Sequence, residues 1–317
     1  TKAGRLSGAF RNIGKTAIAD NIIETMSAAG YKIIEKDPFE RKPVILFDSN
    51  ELSPYVNRMR MSWAQMRGVV TENAPPSPLL NQNVAKYLEQ VDEIYTTDAY
   101  HSLSIEGYRV SEELIERVRS GDWDPETNKK DKEYTDGLAA RGYWEAFQAV
   151  KRSLKKVLTN NQPGEVAHEE HSTWYRELFA PSVNAGILDA TDLAGYRNHP
   201  VYIRKSKHVP PCYEAVRDLM PAFFTLLKEE KNPFAKAVLG HFFFVYIHPY
   251  SDGNGRIGRF LMNVMLAGGG YPWTVIPLKS RDEYMDSLEK ASVKKNIKPL
   301  ALFIAGLIKE SQTKPTG

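Results

Sequence analysis

Apolar residues recur at intervals of three and four along most of the chain, and this spacing predicts helix. It marks 84–98, 111–120, 133–158, 166–180, 213–230 and 234–247, the run from Arg256 through Phe260, Met262 and Val264, and a tail over 296–310. Ser111 followed by two glutamates, with Gly121 just past Arg119, supplies start and stop chemistry for one of these helices. Nearer the N-terminus, Ile18, Ile22 and Met26 share one face of a helix over 16–29, with Thr16 as its N-cap and Gly30 as its stop. A strand-like run, Tyr31–Glu35, follows it, and prolines punctuate 37–83 around one helix near Ser53–Val69. The expectation is a mainly α protein in two parts. Residues 1–83 form a small α/β appendage and connector, winged-helix-like in its helix-then-strand order, and residues 84–317 form a helical domain. Pro200–Pro211 breaks the helical period, since Val201, Tyr202 and Ile203 precede a polar tip and Val209 resumes after it; the segment reads as a small β-hairpin.

Composition narrows the class without naming a function. The 317 residues are 42% hydrophobic and 26% charged, enough apolar material for a large core and unlike a disordered or fibrous chain. A net charge of +3 gives no dominating positive field. The single cysteine, Cys212, leaves no internal disulfide framework and no multi-thiolate metal site, which fits a reducing, cytoplasmic setting. No run is long and apolar enough for a bilayer, and the first residues do not read as a signal peptide.

Chemistry concentrates in His248-Pro249-Tyr250-Ser251-Asp252-Gly253-Asn254-Gly255-Arg256. Pro249 ends the preceding helix, so His248 stands at a helix terminus, where its imidazole can take a proton near neutral pH. The glycines permit a tight turn, and the helix that opens there presents unpaired backbone N–H groups to an anion. Arg256 and Arg259, three apart on its first turn, can reach the same phosphates. Asp252 is a hard carboxylate suited to Mg2+, and Asn254 can stabilise charge developing on a phosphoryl group. Any one of these residues alone would more readily be a capped turn or a packed histidine. The whole string His-Pro-x-x-Asp-Gly-Asn-Gly-Arg-x-x-Arg would arise by chance less than about once in a million such chains, and that decides for function.

Residues 248–259 resemble the signature of the Fic family, whose members mostly transfer AMP from ATP to Ser, Thr or Tyr hydroxyls. Tyr250 stands where the family usually has Phe. The resemblance implies a Fic-type helical bundle over about 84–310, with ATP and Mg2+ as cofactors. It implies His248 as general base, Asp252 as metal ligand, Gly253, Asn254 and Gly255 as the anion cradle, and Arg256 and Arg259 as phosphate clamps. The 200–211 hairpin matches the family's target-binding flap by position, with Val201, Tyr202, Ile203, Lys205, Lys207 and His208 facing an acceptor protein. Ser102-Leu103-Ser104-Ile105-Glu106-Gly107 resembles the family's inhibitory pattern, which implies that Ser102, Glu106 and Gly107 hold Arg259 away from the γ-phosphate. Tyr284 and Leu288 match a helix lining the adenine side, with Ser292 where Asn is often found.

Other readings stand beside this one. A Fic-type enzyme could move another phosphate-containing group or remove AMP. Arg5, Arg11 and Lys15 near the first helix would suit a DNA-binding regulator. The acceptor is a protein, this chain itself included, and pairing of exposed apolar helices would give a homodimer. His168 and His171, an H-x-x-H pair without a third ligand, read as exposed, and His241 as a satisfied interior histidine.

Overall fold

The computed structural model describes residues 2–39, 53–80, 83–123 and 135–313, and the chain divides into two compact units, 1–49 and 50–317. The expected helix start at 133 and most of the first half of the connector lie outside the described residues.

In the first unit, α1 (Lys2–Asn12) and α2 (Thr16–Ala28) lie side by side, with residues 31–37 extended across α1. The helix α1 went unpredicted because Gly4 and Gly8 depress helix propensity. The fold needs Gly8 for a packing reason: a Cβ there would stand 2.1 Å from the Lys36 carbonyl oxygen. The strand and the winged-helix order are corrected. Among the described residues 31–37 pair with no strand, and Lys36 N–H instead donates to Gly4 O at 3.0 Å. Arg11, one of the basic residues behind the DNA-binding alternative, binds Glu35 and Asp20 within the unit. The cap of α2 is Lys15, without a side-chain bond, and not Thr16.

The second unit is a helical bundle. Its helices are α3 (Pro54–Glu72), α4 (Val84–Glu106), α5 (Glu112–Ser120), α6 (Thr135–Leu158), α7 (Pro163–Asn184), α8 (Tyr213–Glu229), α9 (Pro233–Ile247), α10 (Asn254–Gly268), α11 (Arg281–Lys294) and α12 (Lys298–Thr313). The adjacent helices α9 and α10 are buried along nearly their whole lengths, as expected for helices apolar on all faces at the centre of a bundle. On one side α10 packs against the α6–α7 pair and on another α9 packs against α3. This packing places α3 inside the second unit, and the unit begins at Asn50 instead of residue 84. Pro181 does not end α7 at 180, because the helix runs on to Asn184 with Pro181 buried in it.

Pro200–Pro211 is corrected as well, from a hairpin to a loop. Pro200, Pro210 and Pro211 lack the N–H donors that a ladder would need at both ends. One turn closes its tip, Ser206 N–H to Ile203 O at 3.1 Å with Lys205 at φ 62°. Glu289 of α11 then holds it by accepting from the Ser206 hydroxyl at 2.5 Å and the Lys207 N–H at 2.9 Å.

Candidate active site

The buried end of α9 and the start of α10 face each other across the 248–253 turn. His248 caps α9 in the left-handed region, φ 54°, a conformation that costs a non-glycine residue and marks a constrained position. Its Nδ1 lies 3.2 Å from Val245 O. A carbonyl can only accept, so Nδ1 carries the proton and the neutral ring keeps its Nε2 lone pair for another partner. Burial lowers the pKa of this imidazole below its ordinary value of 6.5, with Arg197 adding to the effect and Glu106 opposing it. The ring is therefore neutral at pH 7.

Gly253 (φ 78°) turns the chain into α10. Asn254 closes the turn on itself, its Oδ1 accepting Tyr250 N–H at 2.9 Å and its Nδ2 donating to Tyr250 O at 2.8 Å. The expected phosphoryl-facing role of Asn254 is thus replaced by a positioning one, since both ends of its amide are engaged and it is buried. Tyr250 packs behind the loop with its ring stacked on Tyr175 at 3.7 Å between centroids. His171, buried and not exposed as expected, supports the same cluster through Tyr196, with 3.0 Å from Nε2 to the hydroxyl.

The two arginines are almost wholly buried. Arg256 lies between the rings of Tyr108 and Phe179, 5.1 Å from each centroid, and reaches Asp252 Oδ2 at 3.2 Å. Arg259 donates from Nε to Ser102 Oγ at 2.9 Å, and from Nη2 to Ser102 O at 3.0 Å and Glu106 Oε1 at 2.8 Å. Gly255 makes that last contact fit, because a Cβ there would meet Glu106 Oε1 at 2.3 Å. Burial alone would raise the Glu106 pKa, but Arg259 and Arg256 outweigh it and hold the carboxyl below its ordinary range. Glu106 is the last residue of α4, and Gly107 (φ 99°) stops the helix there. The Nη1 of Arg259 is buried beside Gly255 and has no hydrogen-bond partner among the described residues. An unpaired charged donor at a helix N-terminus suits an incoming anion.

Among the described residues no group of three or more His, Cys, Asp or Glu side chains is placed to hold a metal ion. Asp252 is mostly exposed and offers one carboxylate. That donor fits only an ion that draws its remaining ligands from phosphate and water, as Mg2+ does.

Three residues of the site carried no sequence signal. Tyr108 covers Arg256, and Glu289 holds the flap loop. Arg197, in the loop after α7, is buried under the 248–253 turn. Tyr284 departs from its expected place on an adenine-facing wall. It is buried in the core, where its hydroxyl meets His241 Nε2 at 2.8 Å and its ring stacks on Phe303. His241 is interior as expected, and burial lowers its pKa to about 4.

The site is thus a helical bundle whose central helix opens on a glycine turn, with a neutral histidine before it and two buried arginines after it. Residues 168–266 match the Fic/DOC family. Protein adenylyltransferase Fic from Nematostella vectensis is 39% identical over 114 residues, 35% of this chain and 26% of that protein. The protein of the same name from Drosophila mojavensis is 36% identical over 124 residues, 38% of this chain and 24% of that one. The aligned region is therefore about a quarter of the length of these curated relatives. Fic-1 (residues 134–508) from C. elegans superposes with a TM-score of 0.56 at 22% identity, over 81% of this chain and 71% of that one. A Fic domain-containing signaling protein from Bacteroides thetaiotaomicron does so with a TM-score of 0.53 at 18% identity, over 81% and 95%. At these identities the structures bear on the fold alone.

Proposed function

We propose that this chain is a protein adenylyltransferase that moves AMP from ATP to a Ser, Thr or Tyr hydroxyl of an acceptor protein, and that Glu106 restrains it. The observation that carries the reading is the pairing of a free His248 Nε2 with the anion-binding start of α10. In the transfer, His248 Nε2 takes the proton of the acceptor hydroxyl as its oxygen forms a bond to the α-phosphorus, and the bond to the leaving pyrophosphate breaks. Backbone N–H groups at the start of α10, with Arg256 and Arg259, hold the phosphates and the charge that develops on them. Mg2+ bound at Asp252 would neutralise phosphate charge and orient the leaving group. Glu106 occupies the guanidinium that a γ-phosphate would otherwise engage, so ATP binds out of line until the pair opens. The exposed flap side chains Tyr202 and Val209 suit an acceptor segment that lies along the loop in extended form.

The test is incubation of the full chain and its Glu106→Gly variant with ATP labelled on the α-phosphate, followed by mass spectrometry of the products. A gain of one AMP on a hydroxyl side chain supports the reading. A different added group, or loss of AMP from a pre-modified protein with no forward transfer, would replace it.

A further inference from the structure

Arg197 is 5% exposed, and among the described residues it forms no ion pair. A buried cation normally finds a carboxylate, so one that does not must be satisfied by dipoles. Here every recorded bond of its guanidinium ends on a main-chain carbonyl. Nε donates to His248 O at 2.7 Å and Nη1 to His199 O at 3.1 Å, while Nη2 donates to Pro211 O at 2.5 Å and Ile247 O at 3.4 Å. Its own N–H donates to Pro249 O at 2.9 Å. Ile247 and His248 supply the last carbonyls of α9, which the helix cannot pair and where its dipole favours a positive charge. His199 and Pro211 bracket the flap loop.

One planar fork therefore joins the end of the helix that carries the base to both ends of the flap, and the main-chain N–H of the same residue ties in the turn after the base. His248 has particular need of such a restraint, because its backbone sits in the left-handed region and its ring is oriented through a carbonyl one turn back. Holding Ile247 O and His248 O restrains the two peptide planes that flank the His248 Cα and set the direction of the imidazole. We propose that Arg197 is a positioning residue for the transfer: it fixes the backbone of His248 and registers the flap against it, so that the base and the acceptor hydroxyl meet. It touches no reacting atom. A lysine at this place would keep the charge but, as a compact point donor, could not span four carbonyls.

Two variants of the full chain carrying Glu106→Gly test this, Arg197→Met and Arg197→Lys, with helical circular dichroism to confirm folding. The kinetic arm rests on the transfer reading. In Arg197→Met the rate of self-labelling at saturating ATP should fall about 10- to 100-fold, as expected for a base displaced by about an ångström. The ATP concentration for half-maximal rate should change less than about twofold, because Arg197 bonds to neither Arg256 nor Arg259 nor an amide at the start of α10, and Arg197→Lys should fall between the two. The second arm needs no activity. Nitrogen-15 spectra of the histidine rings should show His248 as a single Nδ1–H tautomer in the parent and as a mixture in Arg197→Met. A folded Arg197→Met chain with an unchanged rate, or with His248 still a single Nδ1–H tautomer, overturns the inference. If the Glu106→Gly parent labels nothing, the transfer reading fails and the ring spectra alone decide the role of Arg197.

Discussion

Glu106 Oε1 sits 2.8 Å from Arg259 Nη2, and that same oxygen would lie 2.3 Å from a Cβ at residue 255. The glycine turn that opens α10 to an anion thus also admits the carboxylate that occupies its arginine. Ser102, one turn earlier on α4, takes two more of the Arg259 hydrogen bonds, so a single helix controls most of that guanidinium.

Removing the carboxylate should release the arginine. We expect Glu106→Gly to raise labelling from α-phosphate-labelled ATP by about tenfold or more, since hydrogen bonds to charged groups are each worth about 1.5–3 kcal/mol. An unchanged or lower rate in a folded variant would count against restraint by Glu106.

His248→Ala should abolish labelling in the Glu106→Gly background. The pH profile of that background has a definite sign. Burial depresses the His248 pKa, so the neutral base persists below pH 6.5 and the acid limb of the profile falls beneath that value. An acid limb centred above pH 7 would exclude His248 as the base. Glu106 is also held below its ordinary range, so mild acid down to about pH 5 should not mimic its removal.

Tyr250→Phe should leave activity intact and hold or raise stability by up to about 1 kcal/mol. The Tyr250 hydroxyl is buried without a hydrogen-bond partner among the described residues, and deleting an unpaired polar group removes its desolvation cost. A loss of more than about 1 kcal/mol in urea unfolding would show that the hydroxyl has a partner.

Tyr143→Phe should be costly. The Tyr143 hydroxyl donates to Asp98 Oδ2 at 2.6 Å in the core between α4 and α6, and burial already raises the Asp98 pKa. Leaving that carboxyl short of a donor should reduce stability by about 1–3 kcal/mol, measured by urea unfolding.

The helical period was sufficient for the bundle, because α9 and α10 are apolar enough to be buried whatever surrounds them. It failed where packing overrode local preference. The glycines of α1 hid a helix, Pro181 seemed to end one that continues, and a run of β-branched and aromatic residues in the flap seemed to require a strand although flanking prolines deny it a ladder. The catalytic string was legible because its residue types are rare together. Glu106 was legible only through its place in a pattern, and the pairing with Arg259 joins positions 153 apart, which no local signal encodes. Arg197 was invisible, since a buried arginine that binds only carbonyls looks in sequence like any surface arginine.

Glu106 is the final helical residue of α4, and Gly107 has already left the helix. Under the proposed restraint, the contact that must open therefore lies at a helix terminus. Under that restraint, release would need only Glu106 and the chain just after it to move, while Leu103 and Ile105 stay in the core and Tyr87, Val91 and Tyr95 keep α4 seated, a local opening far cheaper than global unfolding. On that reading a signal would need only to loosen the tip of α4, and hydrogen exchange should find the amides of 106–107 opening well before those of 87–99.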